Sequence, residues 1–208
     1  MKYNFITIEG CIGAGKTTLA NKLANDFNGK LILEEFEGNP FLPKFYEDPE
    51  RHAFSVELYF MAERFKHLKM LLSEGDIFKA FTVSDFLFQK SLIFATNNLK
   101  EDEAKLYRML FDIINLSLPK PDIVLYLYAP VDKLLENIRK RGREYEKHIT
   151  GDYLEKIQHA YMEYFKMQTQ SRIVLLNTSG LNFVDNKRDY DEVIEVLNED
   201  FDPGLHYI

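Results

Sequence analysis

Apolar residues along this chain fall into two alternating patterns. Short runs at 5–8, 31–33, 81–83, 123–128 and 173–176 are apolar without clean in–out alternation, which predicts strands covered on both faces. Between them the apolar spacing changes to three and four. Leu19, Leu23 and Phe27 share one helical face. Leu58, Met61, Phe65, Leu68 and Leu72 do so over 54–72, and Leu106, Leu110, Ile113 and Ile114 over 103–118. Two further helices are expected over 153–167 and 190–197. Strands alternating with helices imply parallel pairing through right-handed crossovers. The expected fold is a three-layer α/β domain spanning 1–208, on about five parallel strands, with its ligand site outside their carboxyl ends.

Composition narrows the function classes. With 46% hydrophobic and 28% charged residues in 208, the chain can bury a sizeable core. The balance of 26 basic against 33 acidic residues, net −7, argues against a basic face for nucleic acid. A single cysteine excludes an internal disulfide framework and a Cys-rich zinc site. The longest stretch without a charged residue, 173–184, is 12 residues, too short to span a bilayer. The first apolar run is broken by Asn4, Thr7 and Glu9, unlike a signal peptide. These features predict a reduced, cytoplasmic protein with no nucleic-acid or membrane partner. His52, His67, His148, His159 and His206 are scattered without metal-ligand spacing.

The first strand leads into Gly10-Cys11-Ile12-Gly13-Ala14-Gly15-Lys16-Thr17-Thr18, a complete G-x-x-x-x-G-K-T. Glycines let the backbone curl so that successive N–H groups face phosphate oxygens. The following helix aims its positive end at the same anion. Lys16 is placed for the outer phosphates and the Thr17 hydroxyl for Mg²⁺. Cys11 is a variable loop position, with a redox role as the lesser alternative. Asn186-Lys187-Arg188-Asp189 spells the guanine reader of GTPases, but no buried strand leads directly into it. Asp26-Phe27-Asn28-Gly29 fits a D-x-x-G only in its letters, at the end of the first helix.

The second strand ends in Leu33-Glu34-Glu35-Phe36-Glu37-Gly38; carboxylates there, beside a phosphate loop, suggest a base for a hydroxyl. From this point the chain resembles the deoxynucleoside kinase family over nearly its whole length, its bacterial deoxyguanosine and deoxyadenosine kinases in particular. The resemblance implies a phosphate-loop kinase fold with a helical lid at about 137–150, with ATP as donor bound by Gly10, Cys11, Ile12, Gly13, Ala14, Gly15, Lys16, Thr17 and Thr18. It implies phosphorylation of a deoxynucleoside 5′-hydroxyl in nucleotide salvage. Glu34 matches the base, with Glu35 a neighbour and Glu37 a lesser candidate. Tyr46 matches the residue that holds the sugar 3′-hydroxyl. Glu57 stands where relatives often carry a base-reading Gln, and Arg64, two turns on, matches a substrate-site Arg that with Glu57 orients the base. Asp85 matches the acid that, with Thr17, serves Mg²⁺. Phe86 replaces the family's Arg, and Lys90, one turn on, is the candidate substitute. Arg141 and Arg143 match the lid's R-x-R, which clamps the phosphoryl group, and Glu146 matches an acid that helps Tyr46. The segment 183–189 matches the loop after the last strand that borders adenine. A homodimer is implied, with 54–72 and 103–118 as candidate interface helices. The rival readings are a nucleoside monophosphate kinase such as thymidylate kinase, a GTPase switch, and a non-catalytic ATP-binding module.

Overall fold

The computed structural model describes residues 1–36, 38–73 and 78–208, with the side chains of 71–73 left aside. Glu37 and the Leu72 side chain lie outside the described residues. The elements in chain order are β1 (Phe5–Gly10), α1 (Lys16–Asp26), β2 (Gly29–Ile32), α2 (Leu42–Glu47), α3 (Pro49–Ser73), β3 (Phe81–Ser84), α4 (Lys90–Asn98) and α5 (Glu101–Asn115). They continue as β4 (Ile123–Tyr128), α6 (Val131–Arg141), α7 (Gly151–Lys166), β5 (Arg172–Asn177), α8 (Lys187–Asn198) and β6 (Gly204–Tyr207). All strand pairs are parallel, in the order β2-β3-β1-β4-β5-β6. The described sheet therefore has six strands, one more than the apolar runs predicted. β6 is a partly exposed edge strand; having one open edge, it needs no continuous apolar run.

β1 lies at the centre, Ile6 pairing with Val83 on one side and Ile123 on the other. The chain moves to the β2 side of β1 and then returns to the β4 side. This reversal opens a crevice at the carboxyl ends of the strands. Two apolar cores flank it. One packs α1, α7 and α8 on the sheet through Leu19, Leu23, Leu125, Tyr161, Phe165 and Val193. The other joins α3, α4 and α5 through Met61, Phe86, Phe88, Tyr107 and Phe111. Phe86 is 1% exposed in that second core, so an apolar ring fills the place where the resemblance anticipated an Arg. α3 starts at Pro49, earlier than 54, because Pro is accepted in a helix's first turn. Asn186 caps α8 with its side chain on the Arg188 N–H, and Asp189 accepts from the Asn182 N–H at 2.7 Å. The N-K-x-D letters are thus a helix start. The loop before them follows β5 and precedes β6, so it is not the loop after the last strand.

Candidate active site

The phosphate loop joins β1 to α1. Gly13 has φ +88°, and a Cβ there would lie 2.7 Å from the Leu134 carbonyl oxygen; Gly15, at φ +89°, opens α1. Both positions exclude a side chain. Beneath the loop the Glu9 carboxylate accepts from the Gly10 N–H, the Leu87 N–H and the Tyr161 hydroxyl at 3.0, 2.8 and 2.8 Å. The loop is thereby fastened to the chain after β3 and to α7. The Cys11 thiol points inward, near the Tyr126 hydroxyl and Leu154 carbonyl. Burial pushes its pKa up to about 11, so the redox alternative loses the thiolate that it needs. Lys16 Nζ donates to the Cys11 carbonyl at 3.0 Å. Burial, followed by the nearby charge of Lys90, lowers its pKa.

Two clefts meet at this loop. The first lies between Lys16, Glu34, Glu57, Asp85, the lid and α3. Its centre is a charge cluster. Glu34 Oε1 accepts from Arg64 Nε and Nη2 at 2.8 and 2.5 Å, and Oε2 accepts from Lys90 Nζ at 2.6 Å. Burial alone would raise the Glu34 pKa, but Lys90 and Arg64 carry it well below the usual carboxylate range. Arg64 Nη1 donates to Ser91 Oγ at 2.7 Å. All three guanidinium nitrogens of Arg64 are thus engaged, on Glu34 and Ser91. Lys90, 5% exposed, supplies a cation where Phe86 does not.

Asp85 links the two halves of the centre. Its Oδ1 accepts the Glu34 N–H at 2.7 Å and its Oδ2 accepts the Thr17 hydroxyl at 2.5 Å. Burial, then Glu34, raises its pKa. A hydroxyl and a carboxylate side by side at the phosphate loop are hard oxygen donors of the kind that suit Mg²⁺. Glu57, seven residues before Arg64 on α3, is 3% exposed. Its Oε1 accepts from Asn98 Nδ2 at 2.7 Å, while Oε2 is buried with no partner.

The lid closes the cleft. α6 ends at Gly142 in the left-handed conformation, and a 3₁₀ turn follows at Glu144–His148. Asn137 Nδ2 donates to the Gly13 carbonyl at 2.8 Å, tying α6 to the phosphate loop. Arg141 makes a fork onto Glu146, with Nη2 2.6 Å from Oε1 and Nε 3.1 Å from Oε2, and Arg143 Nη1 reaches Oε1 at 3.3 Å. The three lid residues are therefore one cluster. Tyr46 stacks with Tyr145 at 6.3 Å, and its hydroxyl feels the Glu146 charge. The Arg143 guanidinium lies 3.7 Å from the Phe36 ring centroid.

The second cleft lies across the loop. Gly13, Gly15, Thr18, Asn137, Arg141 and 181–185 line it; of the segment 183–189, only the part before α8 reaches it. Outside both clefts, His67 Nε2 lies 3.4 Å from Glu35 Oε1 and 3.9 Å from Glu63 Oε2, with Lys66 also on Glu63. Glu35, Glu63 and His67 could hold a metal ion; the spacing of the histidines gave no sign of it because the partners are carboxylates, Glu63 one turn before His67 on α3 and Glu35 after β2. Asn98, Ser91, Tyr153 and Asn137 also join the sites without having been read from the sequence. Each is a single polar residue in a helix, with no local motif to mark it.

One lysine loop serving two clefts, one of them holding a pinned carboxylate, defines a phosphate-loop phosphotransferase. A profile described as Deoxynucleoside kinase matches residues 6–201, and the chain belongs to that family. It is 34% identical to the deoxyguanosine kinase of Bacillus subtilis (strain 168) over 94% of this chain and 96% of that one. Its identity to the deoxyadenosine/deoxycytidine kinase of the same organism is 29%, over 94% and 92%. Among solved structures, a deoxyadenosine kinase from M. mycoides with bound dATP superposes with TM-score 0.80 at 24% identity, covering 94% of this chain and 100% of that one. The chain is a kinase; the GTPase, monophosphate kinase and non-catalytic readings are not favoured. No helix among the described residues is long and apolar enough to cross a membrane.

Proposed function

We propose that this kinase transfers the γ-phosphoryl group of ATP to the 5′-hydroxyl of a purine deoxynucleoside. The observation that carries the reading is Glu34, held between Arg64 and Lys90 in the first cleft, which Lys16 of the phosphate loop also lines. ATP lies along the second cleft, its phosphates in the loop from Gly10 to Thr18. The nucleoside fills the first cleft.

Phosphoryl transfer depends mainly on positioning and charge stabilisation. Glu34 receives the hydrogen bond of the 5′-hydroxyl and takes its proton as the new P–O bond forms. Because Arg64 and Lys90 keep it ionised, it is always free to accept. Lys16, Arg141 and Arg143 stabilise the phosphoryl oxygens, the lid arginines exchanging Glu146 for the nucleotide. Tyr46 and Glu146 face the sugar, and Glu57 faces the base. Thr17 and Asp85 would hold Mg²⁺, which supplies charge neutralisation at the phosphate oxygens. One relative is named a deoxyguanosine kinase, which supports the purine assignment; the other is named for deoxyadenosine and deoxycytidine together.

The same reading makes the enzyme a cytoplasmic homodimer, as befits a chain with one free, buried thiol. On α5 and its C-cap the exposed Leu106, Met109, Ile113 and Leu116 are spaced three, four and three apart. They form one apolar stripe that a second copy would cover.

The test is a phosphorylation screen of the four deoxynucleosides, and of their monophosphates, with ATP and GTP as donors. Purine deoxynucleosides are expected to be the best acceptors. Thymidine as the best acceptor, or turnover of monophosphates alone, would overturn the proposal.

A further inference from the structure

Glu57 is the one acid of the acceptor cleft that the charge cluster leaves incomplete. Oε1 is fixed by Asn98, whose amide also lies beside the Tyr153 hydroxyl. Oε2 is buried without a partner, which a protein seldom tolerates unless something else arrives there. Val56, Phe60, Phe94 and Tyr153 line the cleft beside it. Apolar walls with a single polar edge suit a flat heteroaromatic ring. Arg64, which holds Glu34, is seven residues along the same helix, about 10.5 Å by helical rise. A ring read at Glu57 thus leaves space for a sugar reaching toward Glu34.

The groups facing Glu57 come from every element around it. They are Arg64 on α3, Lys90 and Asn98 on α4, Glu34 after β2, Tyr107 on α5 and Tyr153 on α7. Tyr107 donates to the Glu57 backbone carbonyl at 3.2 Å. Arg64, the Asn98 hydrogen bond and Lys90 favour the ionised form and Glu34 opposes it, but burial outweighs them. Burial accordingly pushes the Glu57 carboxyl up to about 7. Both protonation states are therefore populated near neutrality, and they present different edges. The carboxylate only accepts hydrogen bonds; the neutral carboxyl accepts and donates. Guanine offers two adjacent donors, N1–H and the 2-amine. Adenine offers a donor, the 6-amine, next to an acceptor, N1.

We propose that Glu57, oriented by Asn98, selects between purine deoxynucleosides through its proton: the carboxylate takes guanine and the protonated carboxyl takes adenine. This rests on the deoxynucleoside reading of the cleft and adds to it the base and the condition under which each base is chosen. Each substrate meets only the fraction of enzyme competent for it. Their ratio therefore follows the ratio of the two forms, tenfold per pH unit. A mismatched edge costs about 1–3 kcal/mol, roughly 10–100-fold, which sets the limits of the swing.

The experiment is direct competition. Deoxyguanosine and deoxyadenosine are mixed with ATP, and initial product ratios are measured from about pH 5.5 to about pH 8.5, a window centred on this carboxyl. Titration of ATP or of any shared catalytic group cancels in the ratio. The wild-type deoxyguanosine:deoxyadenosine product ratio is expected to rise at least about tenfold across the window. In Glu57→Gln, whose amide both donates and accepts, the ratio is expected to be flat and to favour deoxyadenosine. In Asn98→Ala, loss of a hydrogen bond that favours the ionised form moves the ratio at neutral pH toward deoxyadenosine, an effect that mere loss of packing would not give. A wild-type ratio constant within about twofold, or a slope that survives in Glu57→Gln, overturns the proposal alone, since turnover still supports the kinase reading. No product from either nucleoside at any pH overturns both. Should a variant fail to fold, the wild-type profile decides.

Discussion

Replacing Glu57 by Gln should stabilise the folded protein, increasingly so as the pH rises. The folded-state pKa is about 7 against an ordinary value of 4.5, burial being the main cause. Below the ordinary value both folded and unfolded chains hold the proton, and Glu57 adds no pH dependence. Between 4.5 and about 7 the folded chain keeps a proton that the unfolded chain has released. Stability therefore falls as pH rises through that window, and above it the full cost persists. A difference of about 2.5 units at ~1.4 kcal/mol each amounts to about 3 kcal/mol, most of it incurred between about pH 5 and pH 8. Gln has the same shape and no titration, so other groups cancel when wild type and variant are compared at each pH. The assay is urea unfolding of both proteins at about pH 5 and about pH 8, with thermal melting alongside. The stability difference, variant minus wild type, should grow by about 2–3 kcal/mol, or roughly 5–10 °C in Tm for a chain of this size. A difference that stays within about 0.5 kcal/mol between the two pH values would refute the argument that burial governs this carboxyl.

Three other outcomes are expected. Lys16→Ala should leave Tm in place while removing nearly all turnover; single-turnover rates within about tenfold of wild type, ~1.4 kcal/mol, would contradict its role. Glu34→Gln should lower kcat about 10²–10⁴-fold with little change in KM, whereas a mild effect there and a severe one in Glu35→Gln would move the base to the neighbouring residue. On α5, Ile113→Glu should convert dimer to monomer in sedimentation, and an unchanged mass would show that the apolar stripe is not the interface.

How much of this could be read from the chain depends on how local each feature is. The phosphate loop was fully legible because its glycines, lysine and threonine are contiguous and its strand and helix adjoin it. Glu34, Asp85 and the lid arginines, at strand or helix ends, were named by the resemblance to the family. β6 was not anticipated, since Gly204–Tyr207 carries no apolar run and lies half-open at the sheet edge. α4 was missed because Lys90–Asn98 buries a lysine and a serine on its inner face, against the usual amphipathic pattern. Pairing was the least legible of all. Arg64 and Glu34 are 30 residues apart, Lys90 and Glu34 56, and Glu57 and Asn98 41. No spacing rule connects them. Arg64's engagement with Glu34 follows only from the packing of α3 against the segment after β2.

Two consequences of that pairing bear on how the site works. The described centre sets Lys16, Arg64 and Lys90 against Glu34 and Asp85, and the lid sets Arg141 and Arg143 against Glu146. In the centre the cations hold a carboxylate ionised where burial would protonate it. That makes Glu34 a poor base in the ground state and a secure hydrogen-bond acceptor. Such a group suits a transition state in which bond breaking leads and the hydroxyl gives up its proton late. In the lid the logic is reversed, because Glu146 is 5% exposed while Arg141 remains about one-third exposed. In the proposed function, the arginines keep a route to an incoming phosphate, and the buried carboxylate stays behind to meet the sugar with Tyr46. Phe86 fits the same scheme. With Lys90 supplying the cation one turn later, the residue after Asp85 is released from electrostatic duty and fills the core between α3, α4 and α5, which carries Arg64 and Asn98 to their places.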